Sequence, residues 1–133
     1  MRREWRFATK DFASAYRARR ELKELLIENA LDDGDVATCE LVFGELVTNA
    51  LKYGQDPVVA AFEAHDRKAS LEIEDAGRCF NLTSNEPASL EALGGRGLMI
   101  ASALAWSLRV DRTAEHCCVR ANFALNSPVR PAR

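Results

Sequence analysis

The chain has 133 residues, enough for one hydrophobic core and not two. Hydrophobic residues make up 47% and charged residues 29%, the balance of an ordinary globular domain, with a net charge of −2 and a pI near 5.7. That balance implies no broad nucleic-acid surface, no apolar run reaches the length of a membrane span, and no apolar stretch follows the charged start Met1-Arg2-Arg3-Glu4-Trp5-Arg6 as a secretory signal requires.

Residues Arg3 to Thr9 alternate charged and apolar side chains, which predicts a strand. Asp11 offers an N-cap, and Phe12, Ala15, Leu22, Leu25, Leu26 and Ala30 recur at helical spacing as far as Leu31. Arg17, Arg19, Arg20 and Lys23 cover much of the rest of that helix, as a solvated basic face or a partner-binding one. Asp32-Asp33-Gly34-Asp35 interrupts the pattern and caps a second helix, which runs to about Tyr53 and stops at Gly54. Its core stripe is Cys39, Val42, Phe43, Leu46, Val47 and Ala50. Two extended runs, Val58 to Ala64 and Ala69 to Glu74, flank the polar turn His65-Asp66-Arg67-Lys68 and predict a hairpin.

Residues Arg78 to Leu93 lack periodicity, and a loop of that length in a compact domain is usually functional. A short apolar helix is predicted over Gly97 to Ala105, and a final hairpin from Ser107 to Asp111 and Cys117 to Leu125. The order β-α-α-β-β-loop-α-β-β predicts an α+β fold, a two-layer α/β sandwich with helices on one face of a mostly antiparallel mixed sheet. One domain is expected over 1–126 and a disordered tail over 127–133. The four cysteines show no CxxC spacing and predict reduced thiols in a cytoplasmic protein, with adjacent Cys117 and Cys118 on opposite faces of a strand. His65 and His116 are isolated and offer no zinc site.

Three short segments carry the chemistry. In Glu45-Leu46-Val47-Thr48-Asn49-Ala50-Leu51-Lys52-Tyr53, Glu45 and Asn49 are four apart and share a helix face that continues to Lys52 and Tyr53. A carboxylate there can take a proton, an amide oxygen suits magnesium, and a lysine one turn on can reach a phosphate. A solvated polar face is the plainer reading of that segment alone. Asp75 ends a strand, where a carboxylate can accept the exocyclic amine of adenine, and Gly77 allows close backbone approach; a turn Asp beside a turn Gly is the plain alternative. Gly94-Gly95-Arg96-Gly97-Leu98 opens a helix, where exposed amides attract phosphate, or else forms a flexible loop and cap.

Together and in this order, the three segments resemble the N, G1 and G2 boxes of the GHKL ATPases, the superfamily that includes gyrase and the histidine kinases. A hairpin separates the first two and a loop the last two, as in that superfamily. The small size and the β-α-α start look most like the bacterial anti-sigma-factor serine/threonine kinases, and the resemblance runs from about Trp5 to Phe123. It implies a Bergerat-type ATP-binding fold, with ATP and Mg2+ as cofactors. By the same resemblance Glu45 is the general base, Asn49 the magnesium ligand and Lys52 a phosphate contact. Tyr53 packs near the nucleotide, Asp75 bonds adenine, Gly77 shapes that pocket, and Gly95, Arg96, Gly97 and Leu98 hold the phosphates.

The implied partners are a sigma factor and a small STAS-type antagonist phosphorylated on serine or threonine, with a homodimer as the assembly and no direct nucleic-acid or membrane contact. The sequence departs from the family pattern at Cys79, where G1 commonly has a second glycine, and at Leu93, where some related kinases carry a basic residue. Three other readings stay open: an ATP-binding partner-switching module without transfer chemistry, a stand-alone histidine-kinase-type catalytic domain, and a structural domain that binds no nucleotide.

Overall fold

Alternation of apolar and polar residues builds the sheet. In the computed structural model, which describes residues 1–77, 105, 107–112 and 116–129, five strands are found: β1 (Arg2–Phe7), β2 (Val58–His65), β3 (Lys68–Asp75), β4 (Ser107–Arg112) and β5 (Cys117–Ala124). Their order across the sheet is β1-β2-β3-β5-β4, and all four pairings are antiparallel. The sheet, expected to be mostly antiparallel, is antiparallel in all its described pairs. Val58, Ala60, Phe62 and Ala64 of β2 point one way with Leu71 and Ile73 of β3 and Ala121 and Phe123 of β5, and all are buried. Successive strand residues face opposite sides, and Ala69 of β3 with Trp5 and Phe7 of β1 complete the sheet half of the core.

Two helices cover that face, α1 (Phe12–Glu28) and α2 (Asp33–Tyr53). Helix α1 buries Ala15, Ala18, Leu22 and Leu26, and α2 buries Val36, Cys39, Val42, Phe43, Leu46, Val47 and Leu51. Trp5 of β1 meets Phe43 edge-to-face, with ring centroids 5.2 Å apart at 69°. Each such large side chain contributes about 1.5–3 kcal/mol on burial. Among the described residues no helix is long and apolar enough to cross a membrane.

Helix α1 begins at its predicted cap, where the Asp11 carboxylate accepts the Ser14 N–H at 3.1 Å. It ends three residues before Leu31, because Ala30 turns left-handed (φ 61°). The Leu31 N–H then returns to the Leu26 carbonyl and the Ala30 N–H to the Ile27 carbonyl. This pair of bonds satisfies the terminal carbonyls, and Leu31 folds under the helix end into the core.

The tail was expected to leave the body at Ser127; instead it stays docked as far as Val129. The Asp35 carboxylate accepts the Asn126 N–H at 2.8 Å. Arg67 donates to the Asn126 carbonyl at 2.9 Å, and the buried Val129 donates its N–H to the Asp66 carbonyl at 2.7 Å. The β2–β3 turn supplies the groups that the polar tail sequence lacks. Burial pushes the Asp35 carboxyl up, against the lowering effect of the Asn126 amide.

Candidate functional site

The C-terminal half of α2 carries the first group of candidate residues. The helix is anchored at Asp32, whose carboxylate accepts the Asp35 N–H at 2.7 Å, and it has Asp33 and Asp35 in its first turn. It closes where the Gly54 N–H returns to the Ala50 carbonyl at 2.8 Å. Between these ends, Glu45 and Asn49 are half-buried beside the core stripe, while Lys52 and Tyr53 are exposed, Tyr53 by 60%. The Asn49 amide nitrogen is buried without a hydrogen-bond partner among the described residues. Buried polar groups are nearly always paired, so an orphan amide on a polar helix face marks a place where an acceptor is missing.

The second group gathers at the end of β3. Asp75 Oδ1 accepts the Gly77 N–H at 2.6 Å and the Gln55 N–H at 3.3 Å. The Ala76 N–H donates in turn to the Gln55 carbonyl at 3.2 Å. A Cβ on Gly77 would stand 2.6 Å from Asp75 Oδ1, which accounts for glycine there. Oδ2 has no hydrogen-bond partner among the described residues. A carboxylate fixed through one oxygen and open at the other is suited to accept a bond from an amine.

The fold therefore brings the end of α2 against Asp75 and Gly77. Asn49 lies about 7.5 Å along the helix axis from Gly54, and Glu45 about 13 Å. Gly95, Arg96, Gly97 and Leu98 lie outside the described residues, as do the loop expected over 78–93 and nearly all of the helix expected over 97–105. Gly54 and Gln55 were not among the expected site residues. The glycine after the helix was read only as a cap, and a backbone N–H carries no sequence signal.

The expectation of four reduced thiols is corrected. Cys117 is disulfide-bonded, while Cys39 and Cys118 are free. The pairing register sets Cys117 opposite Asp75, a long-range proximity that spacing along the chain does not reveal. The adjacent cysteines do part as expected, Cys117 buried and Cys118 half-buried. Burial and the carboxylates of Glu72, Glu74 and Asp111 push the Cys118 thiol up to about 11, and burial with Asp35 pushes Cys39 up to about 12, so both stay protonated.

Residues 8–123 match the family described as the histidine kinase-like ATPase domain. The chain belongs to that family. No curated protein matches it. As a histidine kinase-like ATPase domain, it resembles in fold the RsbU and RsbW domains of Rv1364c from Mycobacterium tuberculosis. The TM-score is 0.69 at 21% identity, over 98% of this chain and 35% of that one. The chain thus spans about a third of that structure's length. It also resembles the SiaB–SiaC complex from Pseudomonas aeruginosa, with a TM-score of 0.70 at 12% identity, over 91% of this chain and 88% of that one. A third likeness is to the Acinetobacter baumannii histidine kinase AdeS, with a TM-score of 0.54 at 17% identity, over 94% of this chain and 68% of that one.

The residues of this ATPase domain fit the groups that its family implies. The oxygen of Asp75 without a hydrogen-bond partner among the described residues suits an adenine amine. The Asn49 side chain joins an oxygen donor to an amide N–H2 that lacks an acceptor, as a phosphate oxygen or a metal-bound water would supply. Among the described residues no group of three His, Cys, Asp or Glu could hold a metal ion.

Proposed function

We propose that this domain is an ATP-binding anti-sigma-factor serine/threonine kinase. It binds a sigma factor and phosphorylates a small STAS-type antagonist in a partner-switching circuit. The observation that carries the reading is Asp75, held by two backbone N–H groups with one oxygen free, at the point where the polar face of α2 ends. Family membership and the likeness of fold to a chain with an RsbW domain and to the SiaB–SiaC complex support it.

In this reading Asp75 selects adenine, and Gly77 keeps the approach to it open. Asn49 holds magnesium through its amide oxygen, with Lys52 on the phosphates and Tyr53 beside the nucleotide. Gly95, Arg96, Gly97 and Leu98 hold the phosphates. Bound Mg-ATP supplies the phosphoryl group and the charge that screens it. Glu45 accepts the proton of the attacking serine or threonine hydroxyl. Phosphoryl transfer depends mainly on position and charge stabilisation, so this small set of groups is enough.

The test is incubation with Mg-ATP and candidate antagonists, read by intact mass. Gain of one phosphoryl group on an antagonist serine or threonine is the expected result. Sigma-factor binding without transfer to any antagonist would replace the kinase by a non-catalytic, ATP-binding switch.

A further inference from the structure

We propose that the Gly54–Gln55 step between α2 and β2 is a positioning element that sets nucleobase selectivity by locking the Asp75 carboxylate in place. The proposal rests on the reading of Asp75 as the adenine acceptor. A glycine after a helix is usually there for a left-handed turn, but Gly54 has φ −86° and ψ −174°, an extended backbone open to any residue. Its reason for being glycine is space. A Cβ at Gly54 would stand 2.6 Å from the Ala50 carbonyl oxygen, 2.7 Å from Asp75 Cγ and 2.8 Å from Asp75 Oδ2. A methyl group there would strain the helix end at the Ala50 carbonyl and would displace the Asp75 carboxylate, the side-chain group of the two.

The next residue completes the lock. Gln55 donates its N–H to Asp75 Oδ1 and accepts the Ala76 N–H on its carbonyl, which ties the loop to the strand end in both directions. Gly77 donates to the same Oδ1 from the other side. With Oδ1 taken by two backbone donors and Gly54 packed against Cγ and Oδ2, the carboxylate cannot rotate without losing bonds. Among the described residues Oδ2 is left without a hydrogen-bond partner. Gly54 and Gln55 need not touch the nucleotide; they act through Asp75.

The experiment compares two ligands in the presence of magnesium: ADP, and purine riboside 5′-diphosphate, which lacks the exocyclic amine. By calorimetry the wild type should prefer ADP by about tenfold or more, the worth of one buried hydrogen bond. Gly54→Ala should lower ADP affinity by about tenfold and leave the amine-free ligand within about threefold, so that selectivity collapses. In an Asp75→Asn background the same substitution should change selectivity no further, as expected for residues acting through one group. Equal loss of both ligands, or wild-type selectivity in Gly54→Ala, would overturn the positioning role alone. A wild type that does not prefer ADP would remove the Asp75 reading and this proposal with it. Should Gly54→Ala not fold, amide spectra of the wild type and Asp75→Ala, which removes both acceptor oxygens, decide: the Gln55 and Gly77 N–H signals must both move, and an unmoved Gln55 signal refutes the lock.

Discussion

Replacing Asp75 by Asn keeps the size of the side chain and changes one atom, which makes its cost calculable from the site. Oδ1 accepts two backbone N–H groups, at 2.6 Å and 3.3 Å, and Oδ2 is open. The new amide has two orientations. With its oxygen toward Gly77 and Gln55, both backbone bonds survive and the N–H2 group takes the place of Oδ2. With the amide flipped, two donors face two donors and both bonds are lost. The first orientation therefore prevails, and the loss falls on the ligand, where an N–H2 now opposes the adenine amine. One buried bond replaced by an unpaired donor costs about 1–3 kcal/mol, or about 5- to 150-fold in affinity. Calorimetry with Mg-ADP and Mg-GDP should show ADP affinity reduced within that range, a weakened preference over GDP, and a nearly unchanged melting curve without ligand. Unaltered ADP affinity in a folded Asp75→Asn protein would refute the reasoning.

Asn49→Ala removes a buried amide that has no partner, so the ligand-free protein should melt at the wild-type temperature or above it, while stabilisation by Mg-ADP drops sharply. A structural asparagine would show the reverse, a lower melting temperature and intact ligand stabilisation. Ala30→Gly places the permissive residue at the left-handed position that closes α1. It should stabilise the fold by about 0.5–1 kcal/mol, the relieved strain less the entropy cost of glycine, and be seen as a rise of a few degrees in melting temperature.

Local chemistry made α2 legible at both ends, since Asp32 and Gly54 are strong signals on either side of a long apolar stripe. The β2–β3 hairpin was equally plain, because alternation and a polar turn sit side by side in the chain. What escaped was set by contacts between distant segments. Helix α1 stops early because Ala30 takes a conformation that its residue type does not announce. Val129 is one apolar residue in a polar tail, and only the fold shows that the β2–β3 turn waits beneath it. The Cys117 disulfide likewise depends on strand order. At the candidate site, Asp75 and Gly77 stood out as residue types in a motif. Gln55 acts through its backbone N–H, which every residue but proline possesses, so its part emerges only from the geometry.

The central claim is that this domain moves a phosphoryl group with Glu45 as base, and one paired measurement addresses it directly. Wild type and Glu45→Ala are given Mg-ATP and the antagonist, and both nucleotide affinity and phosphorylated antagonist are measured. The account predicts affinity within a few-fold in the two proteins and transfer lower by about 10²–10⁴ in the variant, the usual worth of a positioned base. Full transfer by Glu45→Ala would show that Glu45 is not the base, and no transfer by the wild type would contradict the kinase assignment itself.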